Sequence, residues 1–266
     1  MKNYLIGFIG CGNMGGALVR AVAKTVRGEN IAVCDHNPEK TQALQNELGV
    51  QVCSDTELVK NSRFVVLGVK PQRMQETLAS LANAFQENPN AVAITMAAGL
   101  SMQAIRSFIG ANLPVIRIMP NTPAQLGEGM ILYDTVGVLE ADEKTFCDCF
   151  QKAGVLDKLN EDKIDAASAL SGCGPAFVYA FAEALADGAA TLGVPEDKAA
   201  SYTAQTLLGA AKMLLTYGDP AKLKAAVCSP KGTTLEGLRA LEEADFHDTV
   251  RSAVKAAYKR ALELKQ

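Results

Sequence analysis

Short, continuous apolar runs alternate with helix-periodic segments over roughly the first 159 residues. The runs are Tyr4–Ile9, Ile31–Cys34, Phe64–Val69, Val92–Met96 and Val115–Met119. Helical patterns lie between them at Asn13–Thr25, Glu39–Leu48, Gln72–Phe85 and Met102–Phe108, and another follows at Asp142–Lys152. Continuous rather than alternating apolarity in these runs predicts strands buried on both faces of a parallel sheet. Strand–helix alternation then predicts a Rossmann-like α/β fold: a doubly wound, mostly parallel sheet with right-handed crossovers.

After about Leu159 the β-type runs stop. Helical patterns take over at Asp162–Leu170, Pro175–Leu192, Glu196–Tyr217, Pro220–Val227, Thr234–Glu242 and Phe246–Leu264. Gly193-Val194-Pro195 and Gly218-Asp219-Pro220 read as helix stops, a glycine just past the end with proline soon after. No repeat or low-complexity linker separates the halves, so two abutting domains are expected, 1–159 and 160–266. Within Pro175–Leu192, Phe177, Phe181 and Leu185 form one stripe, and Ala180, Ala182, Ala184, Ala186, Ala189 and Ala190 surround most of the rest. A helix apolar nearly all round needs cover on every side. A small helical domain supplies little of that alone, so an obligate homodimer with interleaved helices is expected. The alternative is that the sheet domain covers one side.

Composition narrows the class. A hydrophobic share of 48% with 21% charged residues is that of a globular protein, not a disordered one. A net charge of −3 offers no footprint for nucleic acid or an anionic membrane. The opening MKNYLIGFIG turns glycine-rich before a signal-peptide core could form. Two stretches, Asn88–Ile105 and Ala166–Ala182, lack charge over nearly a membrane span, yet both carry Pro, Gly and hydroxyl or amide side chains. They read as buried interior of a soluble, cytoplasmic protein. The seven cysteines form no CxxC pair and only His36 and His247 are present. Reduced thiols and no metal are therefore expected.

Ile6-Gly7-Phe8-Ile9-Gly10-Cys11-Gly12-Asn13-Met14-Gly15 is a strand running into GxGxxG and then a helix, with Asp35 closing the next strand. That is the setting a dinucleotide-binding motif requires. Gly10 permits the tight turn, Gly12 lets backbone approach a pyrophosphate, and Gly15 lets the helix pack on the sheet. Backbone N–H groups at the helix start then face phosphate, with Cys11, Asn13 and Met14 among the cofactor-binding residues. Asp35 is placed to accept from both ribose hydroxyls, which favours NADH. The helix start at Asn37-Pro38, with His36 and Lys40, could instead hold a 2′-phosphate if Asp35 turned away, so NADPH stays open.

Further segments fall in a fixed order: Val69-Lys70-Pro71, Ala97-Ala98-Gly99, Arg117-Ile118-Met119-Pro120-Asn121-Thr122-Pro123-Ala124, Ser171-Gly172-Cys173-Gly174-Pro175-Ala176, and Val227-Cys228-Ser229-Pro230-Lys231-Gly232-Thr233-Thr234. Over essentially the whole chain this set resembles pyrroline-5-carboxylate reductase. The resemblance implies hydride transfer from NAD(P)H to the C=N carbon of 1-pyrroline-5-carboxylate, giving L-proline. It implies a helical substrate-binding and dimerisation domain shared between subunits, with dimers in some members assembling into rings. It also implies that Val69, Lys70 and Pro71 and Ala97, Ala98 and Gly99 flank the dinucleotide, and that Met119, Pro120 and Asn121 border the nicotinamide.

Local chemistry supports a small anionic substrate. Ser229-Pro230 reads as N-cap and first helical residue, and Thr233 with Glu236 as a capping box. Either leaves the N–H groups of Gly232, Thr233 and Thr234 unpaired at a positive helix end, a ready site for a carboxylate. Ser229 can assist there, and the Thr234 hydroxyl can reach the ring nitrogen as the catalytic group. The nitrogen must be protonated as hydride arrives, either before binding or through Thr234. Three positions depart from the family pattern: Lys231 where glycine is usual, Ala225 where aspartate is usual, and Cys173 for a common serine. A β-hydroxyacid-type dehydrogenase would carry a lysine in GxGxxxK, but Gly172-Cys173-Gly174 leads to Val178. A related imine reductase and a non-catalytic NAD(P)-sensing module stay open as rival functions.

Overall fold

The computed structural model describes residues 3–110 and 112–264, so the outer ends of the two expected domains lie outside the described residues. One compact unit runs up to Cys173 and takes in the chain from Ala257 onward; a second spans Gly174–Ala256.

The first unit is built on eight strands: β1 (Tyr4–Ile9), β2 (Ile31–Cys34), β3 (Gln51–Val52), β4 (Ser62–Leu67), β5 (Val92–Thr95), β6 (Val115–Met119), β7 (Gly129–Val136) and β8 (Gly154–Lys158). Their order across the sheet is β3-β2-β1-β4-β5-β6-β7-β8, every pairing parallel except β6 with β7. Seven helices accompany them: α1 (Asn13–Val22), α2 (Pro38–Leu48), α3 (Asp55–Asn61), α4 (Pro71–Glu87), α5 (Met102–Ile109), α6 (Glu140–Phe150) and α7 (Glu161–Ser171). β5 and β6 are buried at every position. Alternate strand residues feed two cores, as a sheet covered on both faces requires. Phe64 and Val66 join Leu18, Val22, Phe146 and Phe150, whereas Val65 and Leu67 join Met74, Leu78, Phe85 and Ile105. The expected doubly wound, mostly parallel sheet is what forms.

Four elements go beyond the sequence reading: β3, α3, β7 and β8. β4 also ends at Leu67, two residues earlier than its apolar run, with the Gly68 N–H donating to Ile9 O at 2.7 Å as the last bond of the ladder to β1. The 3₁₀ turn Thr122–Leu126 follows β6.

A buried charge cluster fixes α7 to the sheet. Arg117 on β6 is fully buried, with Nη2 2.5 Å from Asp165 Oδ1 and Nη1 3.5 Å from Glu161 Oε1. Glu161 also accepts the Met102 N–H at 2.7 Å, at the head of α5, while its own N–H donates to Asp134 on β7 at 2.7 Å. Breaking one side of such a pair strands a charge in the core. Asp165→Ala is expected to cost about 3 kcal/mol in urea unfolding, while Arg117→Met with Asp165→Leu recovers most of that loss.

The second unit holds α8 (Gly174–Thr191), α9 (Glu196–Tyr217), α10 (Pro220–Ala226), α11 (Thr233–Glu243) and most of α12 (Phe246–Glu263). Both expected stops occur: Gly193 and Gly218 have positive φ, and Asp219 caps α10 by accepting from Ala221 and Lys222 N–H. Phe181 packs against Phe246 with ring centroids 5.8 Å apart. Of the described residues in this unit only Ala199 and Thr203 are buried. The sequence reading of Ala166–Ala182 as interior is therefore corrected: Ala169 alone is buried there, and Leu170, Val178 and Tyr179 stand exposed. A single copy of the chain lacks the cover these side chains need. In the other charge-free stretch, Asn88–Ile105, β5 is buried as expected, while Pro89, Asn90, Ala98, Ser101 and Gln103 are exposed.

Candidate active site

The glycine-rich loop is shaped by the two glycines that sequence reasoning gave structural tasks. Gly10 has φ +97°, and a Cβ there would lie 2.6 Å from Gly68 O. A Cβ on Gly15 would lie 2.1 Å from Gly10 O. Gly12 differs: it has an ordinary φ of −66°, and no atom lies within 4 Å of a Cβ built on it. Nothing inside the protein demands glycine at 12. It is the N-cap of α1, with no side-chain cap, and the helix's first N–H groups open outward at its positive end. Asn13 and Met14 complete that corner. A groove of about 530 Å³ runs beside it, lined by Cys11, Gly12, Asn13, Arg20, Lys40 and Gln125 among others. A cradle whose glycine faces empty space fits a polyanionic ligand such as a pyrophosphate.

Asp35 does not present itself to such a ligand. Its side chain is 3% exposed, with Oδ2 accepting the Cys11 N–H at 2.7 Å and Oδ1 accepting the Asn37 N–H at 2.9 Å. Burial pushes its pKa up, but the two N–H donors, with Lys40 and His36 nearby, outweigh burial and hold the carboxyl below its ordinary value. The groups facing water are His36, 82% exposed, and Lys40, 42% exposed. Asn37 caps α2 by accepting the Glu39 N–H at 2.9 Å. Burial, with Asp35 beside it, pushes the Cys11 thiol up to about 12, so it is a neutral packing group rather than a nucleophile.

The other expected coenzyme segments are turns at strand ends. Lys70 is the N-cap of α4, Pro71 its first residue, and Val69 is half-buried. Ala98 is exposed, and Gly99 has φ +80°, with the backbone of Leu264 packed so closely that a Cβ would lie 2.7 Å from its oxygen. Met119, Pro120 and Asn121 are buried. Asn121 is engaged from both ends of its amide, donating to Ser171 O at 2.9 Å and accepting from Met130 N–H at 2.9 Å. That makes it a tie between the loop after β6 and the end of α7.

In the second unit α11 starts at Thr233 with Gly232 as N-cap and no side-chain cap. Neither sequence reading of this helix start holds. Ser229 closes a turn instead, its carbonyl accepting the Gly232 N–H at 2.9 Å, so that N–H is not open to a ligand. The Thr233 and Thr234 N–H groups stay open at the helix head, and both residues are exposed. A Cβ on Gly232 would fall 2.3 Å from Ser229 Oγ, so glycine there lets the serine hydroxyl sit against the helix tip. Lys231 adopts φ +61°, the left-handed region where glycine is easiest. The glycine usual in the pattern thus has a backbone reason, and this chain meets it with a lysine.

No group of three or more His, Cys, Asp or Glu residues suited to a metal exists among the described residues.

Residues 161–264 match the family model described as pyrroline-5-carboxylate reductase dimerisation. Residues 5–99 match one described as NADP oxidoreductase coenzyme F420-dependent. A pyrroline-5-carboxylate reductase of Methanosarcina acetivorans is 36% identical, the alignment covering 99% of each chain. The structure of a pyrroline-5-carboxylate reductase from Coxiella burnetii superposes with a TM-score of 0.90 at 30% identity, over 99% of both chains. The NADP-bound pyrroline carboxylate reductase of Plasmodium falciparum gives a TM-score of 0.88 at 29% identity, over 100% of both. Likeness of this depth, running through the sheet and the helices alike, makes the chain a member of the pyrroline-5-carboxylate reductase family.

Proposed function

We propose that the chain reduces 1-pyrroline-5-carboxylate to L-proline with NAD(P)H, the last step of proline biosynthesis. The observation that carries this reading is the Gly12 corner, an open helix head with no internal need for glycine, in a chain like these reductases from end to end. When bound, the coenzyme supplies the hydride that reaches the C=N carbon. The ring nitrogen gains one proton per turnover.

Gly10–Gly15 would hold the pyrophosphate. Val69-Lys70-Pro71 and Ala97-Ala98-Gly99 would flank the dinucleotide, and Met119 and Pro120 would border the nicotinamide, with Asn121 bracing that loop. The Thr233 and Thr234 N–H groups, with Ser229, would take the substrate carboxylate. The Thr234 hydroxyl would polarise or protonate the ring nitrogen. Rate then comes chiefly from holding imine and nicotinamide in register with the nitrogen's developing charge satisfied.

NADPH is the preferred coenzyme in this reading. The inward-turned Asp35 offers no carboxylate to a ribose, while exposed His36 and Lys40 suit a 2′-phosphate. The NADP-bound relative supports the same choice.

The exposed apolar helices are read as a homodimer interface. Support comes from the dimerisation model that matches 161–264 and from exposed Val178, Tyr179, Leu185, Leu208 and Leu215. The stretch Glu161–Thr191 is also long and apolar enough to cross a membrane, with 6% of its most apolar window buried. Its place in the dimerisation match favours a subunit contact and a soluble enzyme. Seven free thiols suit the reducing cytoplasm.

Steady-state assays with 1-pyrroline-5-carboxylate and each coenzyme test the activity. Stoichiometric coenzyme oxidation with proline formed is expected, faster with NADPH. Faster turnover of bulkier cyclic imines would move the reading to a general imine reductase, and binding without turnover to a sensing module. Gly12→Ala separates ligand from fold: apo stability should change by no more than about 0.5 kcal/mol, while coenzyme affinity falls on the order of tenfold. Gly10→Ala should instead destabilise the apo protein by about 1–3 kcal/mol, read by thermal unfolding.

A further inference from the structure

The acidic residue closing β2 has a place in this site that the motif pattern does not assign. We infer that Asp35 is a positioning residue that staples the glycine-rich loop to the start of α2, and that it does not read the coenzyme's ribose. The inference rests on the coenzyme-binding reading above. Its basis is the geometry of the carboxylate. Each oxygen is committed to a backbone N–H, one at Cys11 inside GxGxxG and one at Asn37 just before α2, residues separated by the whole of α1 and β2. With the side chain 3% exposed, neither oxygen has a surface for a ribose hydroxyl.

The staple joins two further ties between the loop and the end of β2. Gly10 donates its N–H to Cys34 O at 2.8 Å, and Cys11 Sγ lies 3.7 Å from the same oxygen, so three contacts tie residues 10–11 to the end of β2. A side chain at Gly12, next in the chain, would meet only open space. Asp35 therefore sets the position from which the Gly12 corner and the α1 head meet a phosphate. The contact also draws the carboxylate's charge inward, where His36 Nδ1 at 3.2 Å and Lys40 Nζ at 3.9 Å face it. An outward acid would repel a 2′-phosphate; this one is turned inward beside the Lys40 ammonium.

Two roles for Asp35 make opposite forecasts. A ribose reader, once lost, weakens NADH and leaves NADPH unchanged or improved. A loop staple, once lost, weakens both coenzymes by the same factor. The test uses the full-length chain, with dissociation constants for NADPH and NADH read from nicotinamide fluorescence, and KM and kcat measured alongside. In Asp35→Asn one N–H loses its acceptor and meets an amide donor instead. The expected result is a loss of affinity on the order of tenfold for each coenzyme, with their ratio held within about twofold and kcat at saturation retained. Loss confined to NADH would overturn the inference. So would unchanged affinity for both, whether or not the thermal midpoint falls. If Asp35→Asn does not fold, Asp35→Ser, which keeps one acceptor oxygen, gives the same ratio. Affinity is read without turnover, so wild-type protein that binds coenzyme but leaves 1-pyrroline-5-carboxylate unreduced would overturn the proposed activity and not the role of Asp35.

Discussion

Thr234→Ala lowers kcat on the order of 10²–10⁴-fold, the range for loss of a positioned proton-transfer group, while coenzyme affinity stays unchanged. The expectation follows from what surrounds Thr234 and from what is missing there. It is the second residue of α11, beyond an N-cap glycine that provides no side-chain cap, so its N–H and hydroxyl are both unclaimed within the helix start. Neither of the two histidines lies in a segment shared with the family pattern. The nitrogen of the imine must gain a proton as hydride reaches the neighbouring carbon, and Thr234 is the hydroxyl assigned to it. Thr234→Ser keeps the hydroxyl and should recover most of the rate. Thr233→Ala keeps both N–H groups and should leave kcat and the substrate KM within about twofold of wild type. Equal turnover by wild type and Thr234→Ala in the NADPH-oxidation assay would remove the threonine from the chemistry.

The second large effect lies at the exposed helices. Leu185→Asp on α8 combined with Leu208→Asp on α9 should abolish the dimer in light scattering and take activity below detection. A fully buried leucine contributes about 1.5–3 kcal/mol, and a two-fold interface counts each substitution twice. The unit spanning Gly174–Ala256 buries only Ala199 and Thr203 among its described residues. It therefore has little core of its own to hold the α11 tip in place once association fails. The wild-type thermal midpoint should accordingly rise with protein concentration. A monomer that kept full activity would contradict the dimer reading.

The legible parts of the fold are those written in a single local signal. Near-continuous apolar runs mark β1, β2, β5 and β6 within a residue, because strands buried on both faces carry few polar side chains. Thr95 and the ion-paired Arg117 are the exceptions in these four. α3 escapes the hydrophobic pattern, although Ser54 and Glu57 spell an N-cap three residues before an acid, and Ser54 does accept the Glu57 N–H at 3.2 Å. β7 and β8 escape it for a different reason. β8 is an edge strand with no buried residue and no apolar run, whereas β7 carries the short run Met130–Tyr133 but pairs antiparallel with β6, outside the strand–helix alternation that marks the other strands.

At the site the same division holds. The tasks of Gly10 and Gly15 can be read from spacing, because backbone sterics alone impose them. The direction of the Asp35 side chain cannot, since motif spacing fixes the position of a Cα and not which N–H groups its carboxylate meets. The start of α11 misleads for a related reason. Thr233 with Glu236 has the spacing of a capping box, but a turn from Ser229 and the left-handed Lys231 place the cap at Gly232.

Isotope transfer tests the central claim most directly. The enzyme is given 1-pyrroline-5-carboxylate and NADPH deuterated at C4 of the nicotinamide, on the face that reacts, and the product is examined by mass spectrometry and NMR. The expected result is L-proline carrying one deuterium at its δ-carbon for each coenzyme oxidised. Coenzyme oxidation with the label absent from that carbon, or no proline at all, would contradict it.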